Sequence, residues 1–128
     1  MPKIAISDAE WLVMQVIWQL GQATAAEVIA ELLKATSWRH RTIRTLLSRL
    51  VDKEVISASE DGHRYVYRPL VSRQRCLRAE GRSFLKRVFA GDVAELLVHF
   101  VQDSRITPAE IDELKRLLDA KRNSRNER

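Results

Sequence analysis

The chain has 128 residues, which suits one compact domain or a small domain with a helical appendage. Its apolar content of 45% is enough to build a core, and 4 glycines and 3 prolines argue against extended disorder. The net charge of +5 is unevenly spread: residues 71–90 carry six Lys/Arg against one acid, while 1–70 carry nine against eight and 91–128 seven against eight. No apolar run approaches the roughly 18 residues of a membrane span. The first residues, MPKIAISDAE, lack the apolar stretch of a secretory leader, so the expected location is cytoplasmic. A lone Cys76 excludes an intrachain disulfide and a thiolate cluster, and His40, His63 and His99 are far apart, so no metal or cofactor is expected.

Ser7 and Glu10 have the spacing of a capping box, and the apolar run Trp11–Leu20 ends at Gly21. A helix over 8–20 follows, with Trp11, Met14, Ile17 and Trp18 near one stripe as core residues. Thr24 and Glu27 repeat the box and start a second helix over 25–34, whose stripe is Val28, Ile29, Leu32 and Leu33.

The third predicted helix, over 39–53, is the most informative. Ile43, Leu46, Leu47, Leu50 and Val51 recur at i, i+3, i+4, i+7 and i+8, a buried stripe. At about 100° per residue the opposite face carries Arg41, Thr45, Ser48 and Asp52, flanked by Thr42, Arg44 and Arg49. Residues 38–49 hold four arginines and no acid. Arginine and hydroxyl side chains donate to phosphates and to guanine edges, so this face suits DNA, although charge alone also suits a solvated helix face. Two β-rich runs, 55–60 and 63–69, then flank Asp61-Gly62, a strong hairpin signal. Three short helices and a hairpin make a winged helix-turn-helix, with the hairpin as the wing.

From Ser72 the pattern is helical again. A helix over 72–89 places Leu77, Gly81, Phe84, Leu85 and Val88 on one side and arginines on the other. Gly91-Asp92 breaks it, and a helix over 93–102 repeats Val93, Leu96, Leu97, Phe100 and Val101. Thr107, Pro108 and Glu110 open a last helix over 108–121 with Ile111, Leu114, Leu117 and Leu118 inward. Residues 122–128 are expected to fray as a basic tail.

The fold class is therefore mostly α with a small β-hairpin. A winged domain over 1–70 is followed by a helical dimerisation segment over 71–121. Narrow apolar stripes are most simply covered by a second copy of the same segment, and the expected dimer residues are Leu77, Phe84, Leu85, Val88, Leu96, Leu97, Phe100, Leu114 and Leu118. The expected partner is palindromic double-stranded DNA, contacted by Arg39, Arg41, Thr42, Arg44, Thr45, Ser48, Arg49 and Arg64. The chain has no phosphate-binding glycine loop, nucleophile elbow or close His/carboxylate cluster, which argues against an enzyme. Two other readings stay open. One is an interaction module that never touches DNA. The other is a redox-responsive repressor using Cys76, whose neighbours Arg73, Arg75 and Arg78 would lower its pKa.

The pattern Ser7-x-Ala9-Glu10-Trp11-x-Val13-Met14-x-x-Ile17-Trp18, followed by Thr42-Ile43-Arg44-Thr45-Leu46-x-x-Arg49-Leu50, resembles the penicillinase and methicillin-resistance repressors, the BlaI/MecI family. Tyr65-x-Tyr67 and Leu97-Val98-x-Phe100-Val101 extend the likeness over nearly the whole chain. The resemblance implies a homodimeric winged-helix repressor of inverted-repeat operators upstream of resistance genes. It also implies derepression by a membrane sensor-protease that signals β-lactam, leading to a cut at His99–Phe100. The chain departs from the family at three places. Arg39-His40 replace a Ser-Pro helix start, giving up a cap worth about 1 kcal/mol. Glu60-Asp61 make the wing tip acidic, leaving His63 and Arg64 as its phosphate contacts. His99 stands where the family's cut has Asn. The paired C-terminal cysteines of copper-responsive relatives are absent from the sequence.

Overall fold

The computed structural model describes residues 5–126. Helix α1 (Asp8–Leu20) begins at a complete capping box, in which Glu10 N–H donates to Ser7 Oγ (3.2 Å) and Ser7 N–H to Glu10 Oε1 (2.8 Å). It stops where Gly21 adopts φ 82° and donates its N–H to the Ile17 carbonyl. Strand β1 (Ala23–Thr24) leads into α2 (Ala25–Ala35), capped the same way by Thr24 and Glu27. Helix α3 (His40–Asp52) follows, then strands β2 (Ile56–Asp61) and β3 (Arg64–Pro69).

The core lies among these elements. Val13, Met14 and Ile17 of α1 pack with Val28, Ile29 and Leu32 of α2 and with Ile43, Leu46, Leu47 and Leu50 of α3. Val55 and Ile56 close it from the base of the wing. Each large side chain so buried contributes about 1.5–3 kcal/mol of transfer free energy. The Trp18 indole N–H donates to the Val71 carbonyl (3.0 Å), and its ring lies 5.5 Å from that of Trp11. These contacts fasten the chain leaving the wing back onto α1.

The structure corrects the sequence reading in several details. The sheet has three strands in the order β1-β3-β2, because Ala23 and Thr24 pair with Tyr67 and Val66. A two-residue strand has no periodicity to read. Asp61 pairs with Arg64, so the turn residues are Gly62 and His63 rather than Asp61 and Gly62. Gly62 alone of the pair has positive φ, at 68°, the requirement of a II′ hairpin.

The chain divides into two compact units, one ending at Ser83 and the other starting at Phe84. The division falls within α4 (Arg73–Phe89), beyond the boundary that the sequence reading set at residue 70. In the second unit α4 ends through Ala90 (φ 50°) and Gly91 (φ 85°), and Asp92 then caps α5 (Val93–Asp103). Helix α6 (Pro108–Asn126) runs through most of the segment expected to fray. Arg122 and Arg125 there, with Lys121 just before them, are ordinary helix formers and favour its C-terminal dipole end. Residues 127–128 lie outside the described residues. Among the described residues no helix is long and apolar enough to cross a membrane.

Candidate nucleic-acid interface

The buried stripe of α3 fixes which of its faces looks outward. Ile43 and Leu50 are fully buried and Leu46 and Leu47 nearly so, while Arg41, Thr42, Arg44, Thr45, Ser48 and Arg49 are all exposed. The first turn contains no acid. Arg39 occupies the N-cap without a side-chain cap bond, as expected from the missing Ser-Pro, and is exposed. Unsatisfied N–H groups and three cationic or titratable side chains, Arg39, His40 and Arg41, therefore meet at one helix start. The Thr45 hydroxyl donates to the Arg41 carbonyl (3.0 Å), which commits its proton and leaves its methyl and an oxygen lone pair outward. Asp52 is exposed on the same face at the far end, so cationic character is confined to the first turns.

The wing contributes less positive charge. Arg64 is exposed but stands opposite Asp61 in the ladder, next to the pair Glu60–Tyr65. Backbone and hydroxyl hydrogen bonds from Thr24, with the charge of Arg64 nearby, hold the Glu27 carboxyl below its usual range. Arg64 thus has three acids, Asp61, Glu60 and Glu27, in its surroundings, whereas the first turn of α3 has none.

Two structural residues escaped the sequence reading. Lys53, the C-cap of α3, donates to Glu10 Oε1 (2.7 Å) and to the Ala5 carbonyl (2.9 Å), tying the end of α3 to the start of α1. Burial pushes the Glu10 carboxyl up, but the hydrogen bonds from Lys53 and Ser7 outweigh this and hold it below the usual carboxylate range. Arg68 donates from Nε to Gln22 Oε1 (2.9 Å) and from its terminal nitrogen to Ser59 Oγ (2.6 Å), bracing the wing against the loop after α1. Neither pairing has a local signature, since the partners are 43 and 46 residues apart in the first two cases that matter, Lys53–Glu10 and Arg68–Gln22.

Cys76 is only 1% exposed, and burial pushes its thiol up despite Arg75 nearby. The expectation of an arginine-activated thiolate is therefore corrected: the basic neighbours line the helix, but the sulfur packs into the core. Among the described residues no three His, Cys, Asp or Glu side chains gather as a metal-binding group.

The second unit has a different character. No residue of α5 is buried. Of the expected dimer residues, Phe84, Leu85 and Leu96 are half-buried, and Leu77, Val88, Leu97, Phe100, Leu114 and Leu118 are exposed. Leu97, Val101, Ile106, Ile111, Leu114 and Leu118 line an open apolar groove of about 400 Å³ between α5 and α6. The His99 ring lies 5.8 Å from that of Phe89, and the adjoining Phe100 is half exposed.

The sequence profile of the penicillinase repressor family matches residues 6–120. The chain is 34% identical over 122 residues to a penicillinase repressor of Bacillus licheniformis, covering 95% of each chain. It is also 34% identical over 116 residues to the methicillin resistance regulatory protein MecI of Staphylococcus aureus, covering 91% of this chain and 94% of that one. The solution structure of the Bacillus licheniformis BlaI monomeric form in complex with the blaP half-operator is similar at 39% identity and a TM-score of 0.52. That likeness covers 56% of this chain and 88% of the other.

Proposed function

Because the chain belongs to the penicillinase repressor family of DNA-binding transcriptional repressors, which are not enzymes, we propose that it is a homodimeric repressor reading an inverted-repeat operator with α3. The observation that carries this reading is the exposed Arg/hydroxyl face of α3, free of acid in its first turn and held by a fully buried opposite stripe. Arg41, Thr42, Arg44, Thr45 and Ser48 read base edges in the major groove, and Arg39, Arg49 and Arg64 contact phosphates. Replacing Arg44 by Ala is expected to cost about 1–3 kcal/mol on the operator and to relax discrimination at one base pair. Equal losses on operator and random duplex would make Arg44 a phosphate contact, and no loss on either would remove it from the interface.

The half-operator complex of the BlaI monomeric form supports one head per half-site. The exposed apolar residues of α5 and α6 support a second copy as their cover, joining two heads about one or two helical turns apart. Sedimentation of the full chain at micromolar concentration is expected to show a dimer, and a monomer would refute this. The controlled genes are those of β-lactam resistance or a related response, signalled by a membrane sensor-protease. The trigger we propose is cleavage at His99–Phe100, which severs Phe100, Val101 and all of α6 from the rest of the dimer surface and removes the avidity of linked heads. Mass spectrometry of the repressor from β-lactam-treated cells is expected to find fragments ending at His99. Derepression with an intact chain would overturn that trigger.

A further inference from the structure

Helix α4 carries a second basic surface apart from α3. At about 100° per residue, Arg75, Arg78 and Arg82 fall within an arc of about 60°, with Cys76 about 130° and Glu80 about 170° from its centre. Cys76 is packed in the core of the winged unit, so this arc faces away from that core. Arg78 and Arg82 are exposed, and Arg82 Nε lies along the helix against the Arg78 carbonyl (3.4 Å).

We propose that the Arg78–Arg82 face of α4 is a phosphate-contacting surface that grips operator DNA outside the reading head. The inference rests on the DNA-binding reading of α3 and extends it. Three features favour the DNA backbone as occupant. The side chains are arginines, whose planar guanidinium matches phosphate in a bidentate way. The i, i+4 spacing advances about 6 Å along one face, so both side chains address one strand. The face belongs to the same compact unit as α3, anchored by Cys76 and by the Trp18–Val71 hydrogen bond. A lipid surface fits less well, because an interfacial helix must bury an apolar face opposite its charges, and here the opposite side carries Glu80 and a Cys76 already packed into the protein core.

The test uses the full chain and fluorescence anisotropy. One duplex carries the inverted repeat that the wild-type chain selects from random DNA, and the other is its scrambled counterpart, both titrated between about 50 and 200 mM salt. If the wild-type dimer neutralises about eight phosphates, its log–log salt slope is near −7. R78Q/R82Q removes four contacts per dimer and is expected to bring the slope to about −4, weakening both duplexes by the same factor. R78K/R82K, which keeps the charges, is expected to restore most of the slope. An unchanged slope in R78Q/R82Q overturns the proposal. So does a loss that sedimentation without DNA traces to a broken dimer, which would make the face a protein contact, and so does a loss confined to the selected duplex. A wild-type chain that selects no duplex overturns the α3 reading itself, and this surface with it.

Discussion

Lys53→Met isolates the tie between α1 and α3. Glu10 has a side chain only 2% exposed, and that of Lys53 is 41% exposed. Removing one partner of a fully buried ion pair costs about 3–5 kcal/mol. Solvent-exposed pairs are worth about 0–1 kcal/mol. With one partner buried and the other screened by water, the expected loss is about 2–3 kcal/mol at neutral pH. Glu10 Oε2 is buried with no hydrogen-bond partner among the described residues, so only the Ser7 N–H on Oε1 remains to compensate the carboxylate once Lys53 is gone. The loss must depend on pH. In the wild type the folded-state pKa of Glu10 lies below the ordinary carboxyl value of 4.5. The stabilisation is thus complete above 4.5 and disappears as pH falls through the folded value. In the variant only the Ser7 hydrogen bonds oppose burial, so the Glu10 pKa rises from its wild-type value and the carboxyl protonates without leaving its site. The deficit of the variant therefore narrows towards acid. Urea unfolding of both proteins at one fixed concentration, at pH 7 and near pH 4, measures this. A deficit of equal size at both pH values, or one under about 0.5 kcal/mol at pH 7, would refute the reasoning.

Three further outcomes are expected. Glu54 closes α3 at φ 61°, with its N–H and that of Val55 donating back to Val51 and Leu50; Glu54→Gly should stabilise the chain by about 0.5–1 kcal/mol, seen as a higher urea midpoint at unchanged slope. Gly62→Ala forces a Cβ into a left-handed turn residue and should destabilise the wing by about 1–2 kcal/mol, with faster amide exchange in β2 and β3 than in α1. Cys76 should react with a thiol reagent only as fast as its site opens, and Cys76→Ser should cost about 1–3 kcal/mol by burying a hydroxyl; rapid labelling of the native chain would contradict its burial.

What was legible in the sequence follows the range of the interaction that carries it. Capping boxes at Ser7–Glu10 and Thr24–Glu27 need residues only three apart, and both form. The α3 stripe needs only helical periodicity, which fixes Ile43, Leu46, Leu47 and Leu50 inward and so places Arg41, Arg44 and Arg49 outward. The reading weakened where a partner had to come from afar. Strand β1 exists because β3 supplies its hydrogen bonds. The basic setting of Cys76 was visible, but its burial depends on a core assembled from α1, α2, α3 and the wing base. Nothing local marks Lys53, because the fold brings Glu10 and the Ala5 carbonyl to it from 43 and 48 residues away. The C-terminal stripes present the same problem one level higher. Periodicity marks Leu97, Phe100, Leu114 and Leu118 as apolar-face residues, yet in a single chain they remain 41–57% exposed. A stripe that folding leaves uncovered still carries the cost of hydrating its apolar surface, and covering it on association with a second copy relieves that cost. The head and the segment after it thus differ in kind. The first completes its core within one chain, and the second leaves its apolar stripes exposed there.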